Sequence, residues 1–206
     1  LAGTNLHRAG DLEQAETAFR SLMVRYPSSA LRHEAAYQLG RVLLAAGRQA
    51  EALDRFQSLV EETQSPERKP DALLETGKLA LARHDIDEAA RVFGLLRTEF
   101  SGSRSAEESY LEMASWYASR GDWEQAAATY QSARQALPKG EVRQQAVLGL
   151  ARAKRKVGDS AAAQSLYEQF LKVYPQSPLL PGAWLGLGRT YANQANHRDA
   201  LQAFDR

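Results

Sequence analysis

Arg32–Gly47 reads RHEAAYQLGRVLLAAG, and Arg48–Thr63 reads RQAEALDRFQSLVEET. In the first stretch Ala36, Leu39, Gly40, Leu43 and Gly47 recur at helical spacing; in the second Ala52, Phe56, Leu59 and Val60 do the same. Both stripes follow a period near 3.6, which predicts two amphipathic helices. A short turn built on Gly47 separates them. Equivalent turns hold Gly10-Asp11, Gly121-Asp122 and Gly158-Asp159. Glycine there can take the left-handed conformation that ends a helix, and aspartate can cap the next one. His84 and Ala195 stand at the glycine position of two further turns, which are therefore expected to be strained or shaped differently.

The same unit recurs along the whole chain. Ala15, Ala52, Ala89, Ala126, Ala163 and Ala200 are spaced 37 residues apart, and each is followed four residues later by Phe19, Phe56, Phe93, Tyr130, Tyr167 or Phe204. A second comb, Gly3, Gly40, Gly77, Ala114, Ala151 and Gly188, precedes the first by twelve residues with the same period. Such self-similarity marks an array in which each copy buries its apolar face only against its neighbours. The copies run over 1–32 (partial), 33–69, 70–106, 107–143, 144–180 and 181–206 (partial), about five and a half repeats of 37 residues in an all-α solenoid. Pro27, Pro66, Pro70, Pro138, Pro175, Pro178 and Pro181 all fall between one copy's second helix and the start of the next, where a helical hairpin tolerates proline. Small residues such as Gly40 and Ala52 let the helix backbones approach closely, and Phe56 fills the groove beyond.

Composition narrows the function. The apolar fraction of 44% and charged fraction of 25% are those of an ordinary folded protein, and a net charge of +1 argues against a nucleic-acid binder. There is no cysteine, which removes disulfide and thiolate chemistry. No apolar run approaches the ~18 residues of a membrane span.

The positions Trp184, Leu187, Gly188, Tyr191, Ala200 and Phe204 resemble the tetratricopeptide repeat, whose closing proline matches Pro27, Pro138 and Pro175. Lys154 and Ala80, where tyrosine is usual, and Gln64 and Ser101, where proline is usual, depart from the pattern. The resemblance implies a right-handed α-solenoid of antiparallel helix pairs, a superhelix. The usual repeat has about 34 residues, and the three extra ones here are placed in the connection between copies or in an added helical turn beside it. RYPSSALRHEAAYQLG and VYPQSPLLPGAWLGLG are similar to the Tyr-Pro-x-Ser linkers of bacterial envelope repeat proteins of the Tol–Pal accessory and outer-membrane-assembly lipoprotein type. That likeness implies a periplasmic or outer-membrane-associated location in a Gram-negative bacterium, with a cytoplasmic one as the alternative.

In this family the first helix of each pair lines the concave face. One residue after the glycine/alanine comb stand Thr4, Arg41, Lys78, Ser115, Arg152 and Arg189; three before it stand Tyr37, Leu74, Leu111, Leu148 and Leu185. A third row holds His7, Leu44, Leu81, Ala118, Arg155 and Ala192. The expectation is a groove with a leucine floor, partly core, and a broken cationic rail, suited to a protein or peptide that is acidic and amphipathic. The family's carboxylate clamp needs Lys and Asn on successive first helices, but Tyr37, Arg41, Glu75 and Glu112 stand there. Glu75, Glu108 and Glu112 give the middle of the array an acidic character, beside Trp116, Tyr117 and Trp123. Tyr117 reads as a core position of the repeat; the two tryptophans read either as anchors for a partner or as filling between copies.

No enzyme is expected. His7, His33, His84 and His197 lie in different copies without ligand spacing, Ser103 and Ser105 have no histidine near them, and there is no glycine-rich phosphate loop. No cofactor or metal site is read. The competing reading is a structural spacer of a larger protein with no discrete peptide ligand. Residue 1 falls about five positions into a copy, and Arg206 stops in a second helix with no polar cap in sight. A piece of a longer protein is therefore expected, with self-association through uncapped ends or fraying at the C-terminal end.

Overall fold

The computed structural model describes residues 11–29, 31–62, 67–137 and 140–206, and among them every regular element is an α-helix. In chain order these are α1 (Leu12–Arg25), α2 (Leu31–Ala45), α3 (Gln49–Glu61), α4 (Lys69–Ala82), α5 (Ile86–Glu99), α6 (Arg104–Ser119), α7 (Trp123–Ala136), α8 (Glu141–Lys156), α9 (Ser160–Val173), α10 (Leu180–Asn193) and α11 (His197–Phe204). The even-numbered helices are the first helices of the copies, and the odd-numbered ones the second. Gly3, Thr4, His7, Gly10, Gln64, Pro66 and Pro138 lie outside the described residues.

The turns inside the copies are uniform. Each occupies three residues, 46–48, 83–85, 120–122, 157–159 and 194–196. In each, the last residue's N–H donates back to a carbonyl five positions earlier: Arg48 to Leu43, Asp85 to Ala80, Asp122 to Tyr117, Asp159 to Lys154 and Asn196 to Tyr191, at 2.9–3.1 Å. This is the Schellman closure, which demands a left-handed residue in its middle. Gly47, Gly121 and Gly158 supply it at φ +78°, +78° and +88°. His84 and Ala195 adopt the same conformation at φ +64° and +59°. Those two turns are thus strained but not reshaped, because the closure leaves no other geometry. The next helix is capped by Asp85, Asp122, Asp159 and Asn196, whose side chains accept from the N–H of Glu88, Gln125, Ala162 and Asp199; Asp11 does the same for Gln14. Arg48 cannot cap, and instead bridges Glu16 and Glu51 at 2.6 Å each.

The connections between copies vary from four to seven residues: 26–30, 62–68, 100–103, 137–140 and 174–179. The length beyond the usual repeat therefore falls outside the invariant turns. In the Tyr-Pro-x-Ser linkers the serine N–H donates to the tyrosine carbonyl (Ser29 to Tyr26 at 3.2 Å, Ser177 to Tyr174 at 3.1 Å). The serine hydroxyl then accepts from the N–H two residues on, Leu31 or Leu179. Phe100–Ser103 forms a related turn without proline: the Ser103 N–H donates to the Phe100 carbonyl, and its hydroxyl accepts from the N–H of Ala106, three residues on. The motif is a turn that starts the next copy. Pro70 and Pro181 sit in the first turns of α4 and α10, where no intrahelical donor is lost.

The chain forms two compact units, Leu1–Ala106 and Glu107–Arg206. The core of the first is built from Ala15, Phe19, Leu39, Leu43, Ala52, Phe56 and Leu59 with Ala35, Ala36, Val42, Ala72 and Leu79. That of the second runs from Ala114, Ala126 and Tyr130 through Leu150 and Tyr167 to Leu187 and Ala203. Ala52, Ala89, Ala126 and Ala163 have no exposed surface, as a comb that fixes helix approach requires. Polar ties reinforce the stacking in the first unit: Arg48–Glu16 joins neighbouring second helices, and Arg68–Glu34 ties the start of α4 to α2.

The repeated aromatics point in two directions. Phe56, Phe93 and Phe204 lie on Gly40, Gly77 and Gly188, sixteen residues back in the same copy; a Cβ there would stand 2.2–2.5 Å from the nearest ring carbon. Tyr130 and Tyr167 belong to copies whose comb residue is Ala114 or Ala151, so that space is taken. Their rings lie instead on Gly149 and Gly186, nineteen residues forward in the next copy, where a Cβ would stand 2.3–2.5 Å away. Where the glycine moves, the ring follows it.

Candidate functional site: the exposed face of the first helices

Residues four apart on a helix share a face, so each first helix presents one position three before the comb together with one position after it. In the first unit these pairs are Tyr37/Arg41 on α2 and Leu74/Lys78 on α4; in the second they are Leu111/Ser115 on α6, Leu148/Arg152 on α8 and Leu185/Arg189 on α10.

Arg41, Ser115, Arg152 and Arg189 are exposed, and Lys78 is half-buried and paired with Glu75 at 3.1 Å. The apolar row is uneven. Leu185 is 44% exposed, Tyr37, Leu111 and Leu148 are half-buried, and Leu74 is only 6% exposed. Leu74 therefore packs inside its unit and cannot offer surface to a ligand, which corrects its place among the partner-binding residues and makes it part of the core share of the floor. Period alone does not distinguish a position that a neighbouring helix covers from one it leaves open. Of the third row, Leu81 is buried, Leu44, Ala118 and Arg155 are half-buried and Ala192 is exposed.

Tyr37 carries Arg68 over its ring at 5.3 Å and tilts against Phe56 at 5.8 Å. Burial, then the charges of Glu75 and Asp71, push its hydroxyl up to about 12, so it stays neutral at any physiological pH. Among the described residues, the side chains of Arg41 and Arg189 form no hydrogen bond or ion pair. Charge placed on a packed repeat without internal use is charge available to something else.

The aromatic cluster of the second unit is dressed in cations. Trp116 meets Tyr117 edge-on at 5.3 Å and carries Arg120 over its ring at 4.4 Å. Trp123, at the start of α7, carries Arg152 at 5.6 Å and Lys156 at 5.5 Å. All three aromatics are half-buried, and Tyr117 packs against the core of its unit. Neither tryptophan is a bare anchor; Trp123 positions Arg152. Arg120 is four residues beyond Trp116, but the cations over Trp123 come from α8, which its sequence neighbours do not reveal. Ser115 shows a related detail, its hydroxyl lying 3.3 Å from that of Tyr130.

Of the expected acidic residues, Glu75 is engaged with Lys78 in the first unit, while Glu108 and Glu112 lie on α6 in the second. No group of three potential metal ligands occurs among the described residues, and no described helix is long and apolar enough to cross a membrane. His33 faces Glu62 at 3.2 Å, alongside the bidentate pair of Arg32 with the same carboxylate.

Tetratricopeptide-repeat family profiles match residues 148–206 and 109–141, and a tetratricopeptide repeat-like domain profile matches residues 1–94. No curated protein matches the chain in sequence. Solved structures share the fold at low identity. A crystal structure of BtubC (BKLC) from P. vanneervenii superposes with a TM-score of 0.67 at 17% identity, over 96% of this chain and 87% of that one. The C-terminal part of a TPR repeat-containing protein from Cytophaga hutchinsonii gives 0.71 at 11%, over 98% and 78%. The nearly identical TPR-like repeats of a putative kinesin light chain from Podosopora anserina give 0.62 at 18%, over 86% and 94%.

Proposed function

Because the chain is an array of tetratricopeptide repeats, a fold that mediates protein–protein interaction, we propose that it is an interaction scaffold whose first-helix face binds an acidic, amphipathic peptide segment of a partner protein. The observation that carries this is the row Ser115, Arg152 and Arg189 of the second unit, which stays exposed, as Arg41 does in the first unit. Among the described residues the side chains of Arg41 and Arg189 form no hydrogen bond or ion pair. Each of the four exposed residues is preceded by one turn by Tyr37, Leu111, Leu148 or Leu185. An arginine beside an apolar side chain suits a segment in which a carboxylate and an apolar residue recur at matching spacing. Affinity comes from the apolar contact, orientation from the charged one.

The test is selection of displayed random peptides on the immobilised chain. Selected sequences are expected to combine acidic and apolar residues, and the double charge reversal Arg152→Glu with Arg189→Glu should abolish their capture while leaving the melting curve in place. A selection that yields no binders, or binders indifferent to the reversal, removes this reading.

A second reading, a structural spacer that assembles through its ends, draws on one feature. On α11, Leu201 is 66% and Phe204 46% exposed. Light scattering that shows growth with concentration, unaffected by the charge reversal, would favour it. The envelope setting, periplasmic or outer-membrane-associated, rests on the Tyr-Pro-x-Ser linkers alone, and fractionation of the native cells tests it.

A further inference from the structure

Tyr167 marks the place where the cations of the second unit converge. Its ring lies on α10 at Gly186, where a Cβ would stand 2.6 Å from the hydroxyl oxygen. Arg189 is three residues further on the same helix, and so on the same face. On α8, which touches α10 directly, Arg152 and Arg155 are likewise three apart. Burial pushes the Tyr167 phenol up, and the charge of Arg155 with its hydrogen bond to the phenol, followed by the charges of Arg152 and Arg189, pulls the other way.

Three like charges around one hydroxyl would ordinarily be neutralised by a nearby carboxylate. Among the described residues none of the three forms an ion pair. Arg155 hydrogen-bonds the Tyr167 phenol, yet its Nε is buried without a hydrogen-bond partner, a donor that normally costs stability unless something accepts from it. Arg152 and Arg189 are exposed, so the group is open to solvent, and Arg152 is held from behind by Trp123. Among the described residues of the first unit there is no counterpart. There Lys78 is paired with Glu75, and the residue matching Arg155 is Leu44 on α2 and Leu81 on α4.

We propose that Arg152, Arg155 and Arg189, grouped around the Tyr167 hydroxyl, form a site for a dianionic oxyanion group of the bound partner, a phosphoryl group or two adjacent carboxylates. A single carboxylate satisfies one guanidinium bidentately and leaves two unmatched. A phosphoryl group brings a charge of about −1.5 to −2 and three acceptor oxygens, and tandem acidic side chains bring the same charge on four. Leu148 and Leu185, one turn before Arg152 and Arg189, receive the apolar residues that flank it. The proposal rests on the interaction reading for its partner, but the site itself can be probed without one.

The first probe is inorganic phosphate, titrated into the whole chain against chloride at matched ionic strength and pH 7. Arginine Nε–H resonances report it by NMR. Saturable shifts are expected at Arg152, Arg155 and Arg189. Arg189→Gln, an exposed change that leaves folding intact, should weaken binding at least fivefold, and Arg41→Gln should not. Shifts that do not saturate, or equal losses from Arg41→Gln and Arg189→Gln, would overturn the site. The second probe is a labelled leucine-containing peptide bearing phosphoserine, Glu-Glu or Ser-Gly at its centre, followed by fluorescence anisotropy. Tighter binding of the phosphoserine form identifies a phosphoryl ligand, and tighter binding of the Glu-Glu form an acidic pair. Equal binding of all three contradicts the proposal. Phosphate binding with no peptide binding leaves the site standing and removes the interaction reading; peptide binding indifferent to Arg189→Gln does the reverse.

Discussion

A Cβ on Gly40 would stand 2.5 Å from Cε1 of Phe56, so the aromatic ring of the second helix lies directly on the backbone of the first. Phe56 is fully buried and cannot withdraw. Gly40→Ala should therefore lower stability by about 1–3 kcal/mol through overpacking, despite alanine's better helix propensity. Gly94, inside α5 with nothing near its missing Cβ, is the control. Gly94→Ala should raise stability by ~0.5–1 kcal/mol. Thermal or urea melts of the two variants should move in opposite directions.

The reversed rings make a second prediction. In the second unit Tyr130 reaches Gly149 of the following copy, so this contact joins copies where Phe56 and Gly40 join helices within one. Gly149→Ala should lose about 1–3 kcal/mol, and most of that loss should vanish when Tyr130 is first replaced by leucine. A double-mutant cycle measures this. Strict additivity of the two changes would show that the ring does not lie there.

His84 and Ala195 hold left-handed backbone where three other turns have glycine. A residue with a Cβ pays roughly 1–2 kcal/mol there. His84→Gly and Ala195→Gly should each stabilise the chain, by about 0.5–1 kcal/mol once the added freedom of the unfolded glycine is subtracted. Gly121→Ala should destabilise by a similar amount. Denaturant midpoints at constant slope report all three.

Tyr37 and Tyr191 are both held up at about 12, first by burial; Glu75 and Asp71 add to this at Tyr37, and the Glu168 hydrogen bond adds to it at Tyr191. A raised phenol is protonated in the folded state where it would ionise in the unfolded one. Its contribution to stability is complete below the unfolded value of 10.0 and is lost as pH rises toward 12. Ultraviolet titration should show a late-ionising fraction that shrinks in Tyr37→Phe and again in Tyr191→Phe.

Much of this architecture is legible in the sequence because one period repeats without interruption. The alanine comb gives the helix phase, and the glycine-aspartate pairs give the turns. The strain at His84 and Ala195 follows from where they stand in that register. What escaped is where copies differ. The glycine that receives the aromatic shifts from Gly77 to Gly149 and Gly186, two positions ahead of the comb, and alanine fills the vacated place at Ala114 and Ala151. That exchange is visible in the sequence, but its meaning needs the ring's direction. Leu74 and Leu185 occupy one row, yet one is buried and the other exposed, since neighbouring helices decide coverage and a period does not. Likewise the stacking of Arg152 on Trp123 joins residues that no motif links.

The central claim, that the first-helix face receives a peptide, is tested most directly by site-specific photo-cross-linking. A benzophenone amino acid is placed at Leu185, exposed on α10, or at Ser165, exposed on α9 in the second-helix row, and each chain is irradiated with a display-selected peptide. The account predicts an adduct from position 185 and none from position 165. An adduct chiefly from position 165, or equal yields from both, would contradict it.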